Sequence, residues 1–204
     1  MSPANPASPP EVVLVRHAET EWSRDGRHTG LTDIPLTDGG RAAARALAGR
    51  LRRWRFERVL VSPLRRARET CELCGLGEMA EPVDDLHEWD YGEYEGLTTP
   101  QILAQRPGWS LWRDGCPGGE DAEQVGGRAD RVIATLAAGK GAVAIFSHGH
   151  MLRVLGSRWI ELHPSGGARL GLSPAAVSVL GHEHDTRILA LWNDAGAGGD
   201  GATF

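Results

Sequence analysis

Val12-Val13-Leu14-Val15 is an unbroken aliphatic run that stops abruptly at Arg16-His17. A short run that is apolar at every position predicts a central strand covered on both faces and ending at a functional loop. The period then changes. Across 37–54, Leu47, Leu51 and Trp54 recur at helical spacing behind Thr37, a residue suited to cap, so a helix is predicted there. Residues 58–61 repeat the buried-strand pattern, and Pro63 opens a helix directed toward Cys74. From Val83 to Gly119 regular periodicity is lost. Trp89, Tyr91, Tyr94, Trp109 and Trp112 lie scattered among Gly and Pro, with one short helix predicted behind Thr99 as cap and Pro100 in its first turn. Helical spacing returns over 120–138 through Val125, Ala129, Val132 and Leu136. Residues 142–146 are a third buried strand, followed by a helix to about Leu162. Strands at 177–180 and 187–192 close the chain, joined by Gly181-His182-Glu183-His184-Asp185 as a hairpin or similar antiparallel return.

Strands alternating with helices imply a three-layer α/β/α sandwich whose sheet is mostly parallel, with one antiparallel strand contributed near the end of the chain. Residues 11–194 are expected to form a single domain with a lid-like insertion at about 93–119. The Pro-, Ala- and Ser-rich residues 1–10 read as a disordered leader, and the Gly-rich residues 195–204 as a flexible tail. The aromatic residues of the insertion suit either a small core under a loop or a specificity-setting lid, and exposed tryptophans among them would permit a homodimer.

Composition narrows the class. With 41% hydrophobic and 24% charged residues the balance is that of a globular protein, and a net charge of −5 argues against nucleic acid as partner. No stretch approaches the ~18 apolar residues of a membrane helix. The first ten residues hold no Lys or Arg and no apolar run, so they do not read as a secretory signal, and a cytoplasmic location follows by default. Cys71 and Cys74 form a C-x-x-C inside a predicted helix without a second ligand pair, which favours small buried hydrophobes over a redox or zinc centre. His182, His184 and Asp185 fall in a predicted surface turn, so no metal is assigned to them. His163, before Pro164, reads as a cap of the preceding helix, and Arg50, Arg52, Arg53 and Arg55 as a solvated helix face.

The chemistry lies where strands end, because sites in such sheets form beyond the carboxyl ends of the strands. Three polar clusters follow strands directly: Arg16-His17-Ala18-Glu19-Thr20, Ser62-Pro63-Leu64-Arg65-Arg66 and Ser147-His148-Gly149-His150. They bring arginines, whose planar forks match phosphate oxygens, to the same edge as imidazoles able to attack phosphorus or donate to it.

These motifs resemble the histidine phosphatase superfamily, which includes the cofactor-dependent phosphoglycerate mutases. Leu14-Val15-Arg16-His17-Ala18-Glu19-Thr20 is similar to the family's Arg-His-Gly signature, with Ala18 in place of the usual Gly. The likeness continues at Gly26-Arg27-His28-Thr29-Gly30, Leu36-Thr37-Asp38-Gly39-Gly40, Ser62–Thr70, Leu86-His87-Glu88-Trp89-Asp90-Tyr91-Gly92 and Ser147-His148-Gly149-His150. The resemblance implies a phosphoglycerate mutase-like fold and a nucleophilic His17 that is transiently phosphorylated. Arg16, Arg66 and a protonated His148 would surround the phosphoryl group, and Glu88 would be the general acid. Thr29, Gly30, Tyr91 and Gly149 are expected to bind substrate, together with Ser23, which stands where many relatives carry Asn. No metal or cofactor is implied. The stretch 109–120 holds one arginine, Arg113, and lacks the basic pair with which mutases of the family grip a carboxylate. It is similar instead to the broad-specificity acid phosphatases of mycobacteria and related bacteria. A phosphatase acting on a small phosphorylated metabolite is therefore expected, ahead of a mutase, a non-catalytic phospho-ligand binding module or a phosphohistidine phosphatase acting on proteins.

Overall fold

A computed structural model describes residues 11–136 and 141–196, so the predicted leader and most of the predicted tail lie outside the described residues. In chain order the elements are β1 (Glu11–Arg16), α1 (Glu21–Arg24), α2 (Asp38–Leu51), β2 (Phe56–Val61), α3 (Arg65–Leu73), β3 (Ala80–Pro82), α4 (Thr99–Gln105), α5 (Leu111–Asp114), α6 (Ala122–Leu136), β4 (Ala142–Ser147), α7 (Gly149–Trp159), β5 (Val177–Glu183) and β6 (Thr186–Asp194). Among the described residues the sheet has the order β3-β2-β4-β1-β5-β6. β2 is parallel to β3 and to β4, and β4 is parallel to β1. β5 runs against both of its neighbours, β1 and β6, and is the one antiparallel strand.

The strand sequences dictate the layering. Alternate residues of a strand face opposite sides, so an all-apolar strand needs cover on both. Val12 and Leu14 of β1, Leu60 of β2 and Val143 and Ile145 of β4 pack with the apolar stripes of α6 and α7. Val13 and Val15, Val59 and Val61, and Ala144 and Phe146 face the other way, onto Leu47 and Leu51 of α2 and Ala67 and Cys71 of α3. The result is the α/β/α sandwich expected from the sequence.

Several boundaries move for local reasons. Thr37 caps α2 as predicted, its hydroxyl accepting from Gly40 N–H at 2.9 Å. The cap of α4 is Thr98, not Thr99, in a reciprocal box with Gln101. α6 begins at Ala122 rather than Glu120, because Glu120 turns back to bind other residues. α7 ends at Trp159, short of Leu162. β3 went unpredicted: three residues at a sheet edge carry no usable periodicity. His163 caps the turn that follows it, Pro164–Arg169, and not the preceding helix; its ring nitrogen accepts from Ser165 N–H, and Nε2 lies 2.6 Å from Glu123. Of the basic run, Arg50 leaves the solvated face to pair with Asp194 at 2.7 Å.

The expectation of exposed tryptophans in the 93–119 insertion is corrected. Trp109 is buried together with Trp89, Tyr91 and Tyr94 in the same core as α6 and α7, and Trp112 is half-buried against it. Cys71 and Cys74 are also buried, and desolvation pushes both thiols up to about 12. No described helix is long and apolar enough to cross a membrane.

Candidate active site

Strand register assembles the site. Arg16 of β1 lies level with Ser147 of β4, and Val61 of β2 with Phe146, so the three strand ends finish at one height. Two hydrogen bonds extend the ladder past the strands: His17 N–H donates to Ser147 O at 2.9 Å, and Ser62 N–H to Phe146 O at 2.9 Å. His17 and His148 are thereby brought together, their ring centroids 5.2 Å apart. Both are buried.

His17 Nδ1 lies 2.8 Å from Ala18 O, a carbonyl that can only accept, so Nδ1 carries the proton and Nε2 is the free lone pair. Burial pushes the imidazole well below the usual histidine range, and the charges of Arg66 and Arg16 push it further, so His17 is neutral. His148 is lowered well below that range by the same causes, burial first, then Arg66, His17 and Arg16. In this arrangement burial and the neighbouring guanidiniums favour the neutral ring of His148. Its Nε2 sits 2.7 Å from Ser62 Oγ, while Nδ1 is buried without a partner.

The arginines are held from outside the site. Arg66 is fully buried and gives Nη1–H to Thr32 O at 3.1 Å and Nη2–H to Thr29 O and Gly30 O at 3.0 and 2.8 Å. Arg16 Nη1–H donates to Leu172 O. The Nε atoms of both arginines are buried and unpartnered. Glu88, also buried, accepts three backbone N–H groups: Trp89 and Met151 at 2.9 Å on Oε1, and His150 at 3.0 Å on Oε2. Two of these donors are in the first turn of α7, where the helix dipole favours a negative charge.

The expected substrate-binding residues divide. Tyr91 is buried with its hydroxyl 2.6 Å from His150 Nδ1, and burial pushes the phenol well above its usual range, so it stands here as a neutral hydroxyl. Gly149 opens α7, where a Cβ would stand 3.3 Å from the Arg16 guanidinium. Thr29 and Gly30 serve Arg66 through their carbonyls, and Gly30 has no room for a side chain, since a Cβ would meet Trp89 O at 2.6 Å. Ser23 is engaged locally: its hydroxyl donates to Thr20 O and accepts from Thr20 N–H, and Thr20 Oγ1 accepts from Ser23 N–H. The side chain is the N3 member of the capping box that opens α1 behind Thr20.

Sequence reading missed the supports of this arrangement. Glu95 accepts N–H bonds from Gly30 and Thr32 at 2.9 and 3.1 Å and so fixes the loop that grips Arg66. Arg128 is buried, pairs with Glu120 at 2.8 Å and donates to the carbonyls of Asp85 and His87, below Glu88. The only advance signal for Arg128 was a charged residue on the apolar stripe of α6.

The family assignment now has both fold and site behind it: the chain belongs to the histidine phosphatase superfamily (branch 1), whose model matches residues 12–195. It is a phosphatase-type enzyme of that superfamily. Among particular relatives it is 42% identical over 184 residues to an acid phosphatase of Mycobacterium tuberculosis, covering 88% of this chain and 90% of that one. It is 35% identical to sedoheptulose 1,7-bisphosphatase of Saccharomyces cerevisiae, covering 77% and 70% of the two chains. A solved mycobacterial glucosyl-3-phosphoglycerate phosphatase complexed with VO3 superposes with a TM-score of 0.82 at 28% identity, over 91% of this chain and 99% of that one.

Proposed function

We propose that the chain is a metal-independent phosphomonoesterase of acid phosphatase type that acts through a phosphohistidine at His17 on a small phosphorylated metabolite. One observation carries this reading. Among the described residues, the buried side-chain nitrogen and oxygen atoms without a hydrogen-bond partner are Arg16 Nε, Arg66 Nε and His148 Nδ1. Buried donors are normally satisfied, and leaving one unmade costs about 1–3 kcal/mol. Three such nitrogens belonging to one site call for an anion with several acceptor oxygens, which a phosphoryl group supplies.

The chemistry follows from the hydrogen bonds. With Ser62 Oγ–H as donor to His148 Nε2, 2.7 Å away, a neutral His148 holds its proton on the otherwise unpartnered Nδ1 and presents it to the phosphoryl group. His17 Nε2 attacks phosphorus, the ester P–O bond breaks, and the leaving oxygen takes a proton that Glu88 relays from the phosphate monoanion of the substrate. Water then attacks the phosphohistidine and breaks the P–N bond, its proton passing to Glu88 and the phosphate leaving. Charge on the equatorial oxygens is met by fixed donors, the main requirement of phosphoryl transfer. The named activities of the relatives support a phosphate ester as substrate. Arg113, the arginine of the 109–120 stretch, is occupied by Asp114 at 2.7 Å, which favours a phosphatase over a mutase.

The test is hydrolysis of p-nitrophenyl phosphate in EDTA by the native protein and by His17→Ala. Activity that survives EDTA and falls at least ~10³-fold in the variant is expected. Activity retained by His17→Ala would sink the phosphohistidine route.

A further inference from the structure

The end of β6 departs from a regular strand. Val177 of β5 lies level with Asp194 and Val179 with Leu191, so Trp192 and Asn193 together stand opposite the single residue Ser178. Such a bulge re-aims the side chains it carries. Asn193 lies in the left-handed region, φ 57°, which asparagine tolerates better than most side chains. Its N–H donates to Ser178 Oγ at 3.0 Å, and its side chain leaves the ladder, Oδ1 accepting Ser173 N–H at 2.7 Å. Trp192 does the same one step earlier, its Nε1–H donating to Gly171 O at 2.7 Å.

Gly171 and Ser173 are the two neighbours of Leu172, and Leu172 O is the only protein acceptor of the Arg16 guanidinium among the described residues. Two consecutive residues of β6 therefore pin the backbone on either side of the carbonyl that turns Arg16. The same loop reaches the nucleophile: Ala175 N–H donates to His17 O and Arg16 N–H to Ala176 O, both at 3.2 Å. Arg66 is gripped by three carbonyls and Arg16 by one, and Arg16 Nε is buried without a partner. Arg16 is thus the guanidinium whose aim a single brace can change.

We propose that Asn193 is a positioning residue for phosphoryl transfer, holding, through the loop 171–176, the carbonyl of Leu172 against Arg16. The inference rests on the phosphatase reading and adds a part that touches neither substrate nor phosphoryl group. Ser173 N–H can only donate, so the oxygen of the Asn193 amide is the atom that matters. Its effect is geometric: with that oxygen removed, the loop relaxes, Leu172 O withdraws, and the Arg16 fork turns away from the equatorial oxygens it should meet.

The experiment measures kcat/KM for p-nitrophenyl phosphate. Asn193→Gly keeps the left-handed backbone and removes the acceptor, and a loss of at least ~10-fold is expected, because small displacements of a charge-stabilising group are costly. Asn193→Asp keeps an acceptor oxygen and is expected to stay within about threefold of native. In an Arg16→Lys background, which lacks the planar fork, Asn193→Gly is expected to cost less than about twofold, since both changes act through one group. Trp192→Phe keeps the ring but loses the donor to Gly171 O. It is expected to lower kcat/KM severalfold, and it takes over the test, alone and with Arg16→Lys, should Asn193→Gly fail to fold. Losses that multiply in the Arg16→Lys background make the brace merely structural and overturn the proposal. So does an Asn193→Asp as impaired as Asn193→Gly, or an Asn193→Gly as active as the native chain. Should Arg16→Lys be inactive, the Gly and Asp variants decide between them. His17-dependent hydrolysis by the native chain is the separate readout: if it is present and the variants fail these expectations, only the Asn193 proposal falls, and if it is absent, the phosphatase reading falls with it.

Discussion

His148 depends on a single hydroxyl in the proposed mechanism. A neutral ring has one donor and one acceptor, and the mechanism needs Ser62 Oγ–H, 2.7 Å from Nε2, to donate there so that the ring's proton stays on Nδ1. Ser62→Ala would free the ring to adopt the other tautomer, with the proton directed away from the phosphoryl group. A neutral hydrogen bond is worth about 1 kcal/mol, so kcat/KM for p-nitrophenyl phosphate should fall about fivefold with the fold intact by circular dichroism. An unchanged kcat/KM would mean the tautomer is set some other way. At this scale the gathering of Arg16, His17 and Arg66 was legible, since each lies at or just past the end of a buried strand in sequence. Ser62 was seen as part of a motif but not as the partner of His148. That contact joins residues 86 positions apart, and no local pattern encodes it.

Among the elements, the irregular segment 83–119 was the least readable, and the structure explains why. Its order comes from contacts at long range rather than from periodicity. Trp89 Nε1–H reaches Glu120 O at 2.9 Å, Asp90 N–H reaches Glu120 Oε2 at 2.9 Å, and Arg128 on α6 collects the carbonyls beneath Glu88. Glu120 was assigned to the helix by its sequence position, yet it serves as the hinge-pin between α6 and this segment. Arg128→Met leaves Glu120 as a largely buried carboxylate without its cation, a change that costs about 3–5 kcal/mol. A urea melt should show that loss. Glu88, still tied to α7 but no longer supported from below, should lose activity before the protein unfolds globally. A stability change under 1 kcal/mol would show that the pair is dispensable. By contrast, β1, β2, β4 and α2 were readable because their sequences bury whole strands or a regular stripe.

For the whole molecule, the site makes stability depend on pH. The folded chain holds His17 and His148 well below the usual histidine range through burial, whereas an unfolded chain titrates them near 6.5. Below about pH 6.5 the unfolded state therefore binds more protons than the folded one, and stability is lost as pH falls. Above that value the contribution is fully present. Each histidine adds a slope of up to about 1.4 kcal/mol per pH unit. Urea unfolding at pH 7.5, 6.5 and 5.5 should show the decline, with His148→Asn removing part of the slope. A flat profile would contradict neutral buried imidazoles.

The level ends of β1 and β4 also set a timetable. The loop bearing His17 is among the first described residues of the chain, but it takes its place only when its N–H finds Ser147 O, at the end of a strand formed far later in the sequence. Chains are made from the N-terminus, and pairings between distant segments form late. A nascent chain that has emerged only through α6 already carries His17, Arg16, Arg66 and Glu88 but lacks the strand that lies between β1 and β2 and sets their strand ends level. A chain cut before Ala142 is therefore expected to hold the reactive side chains without their alignment.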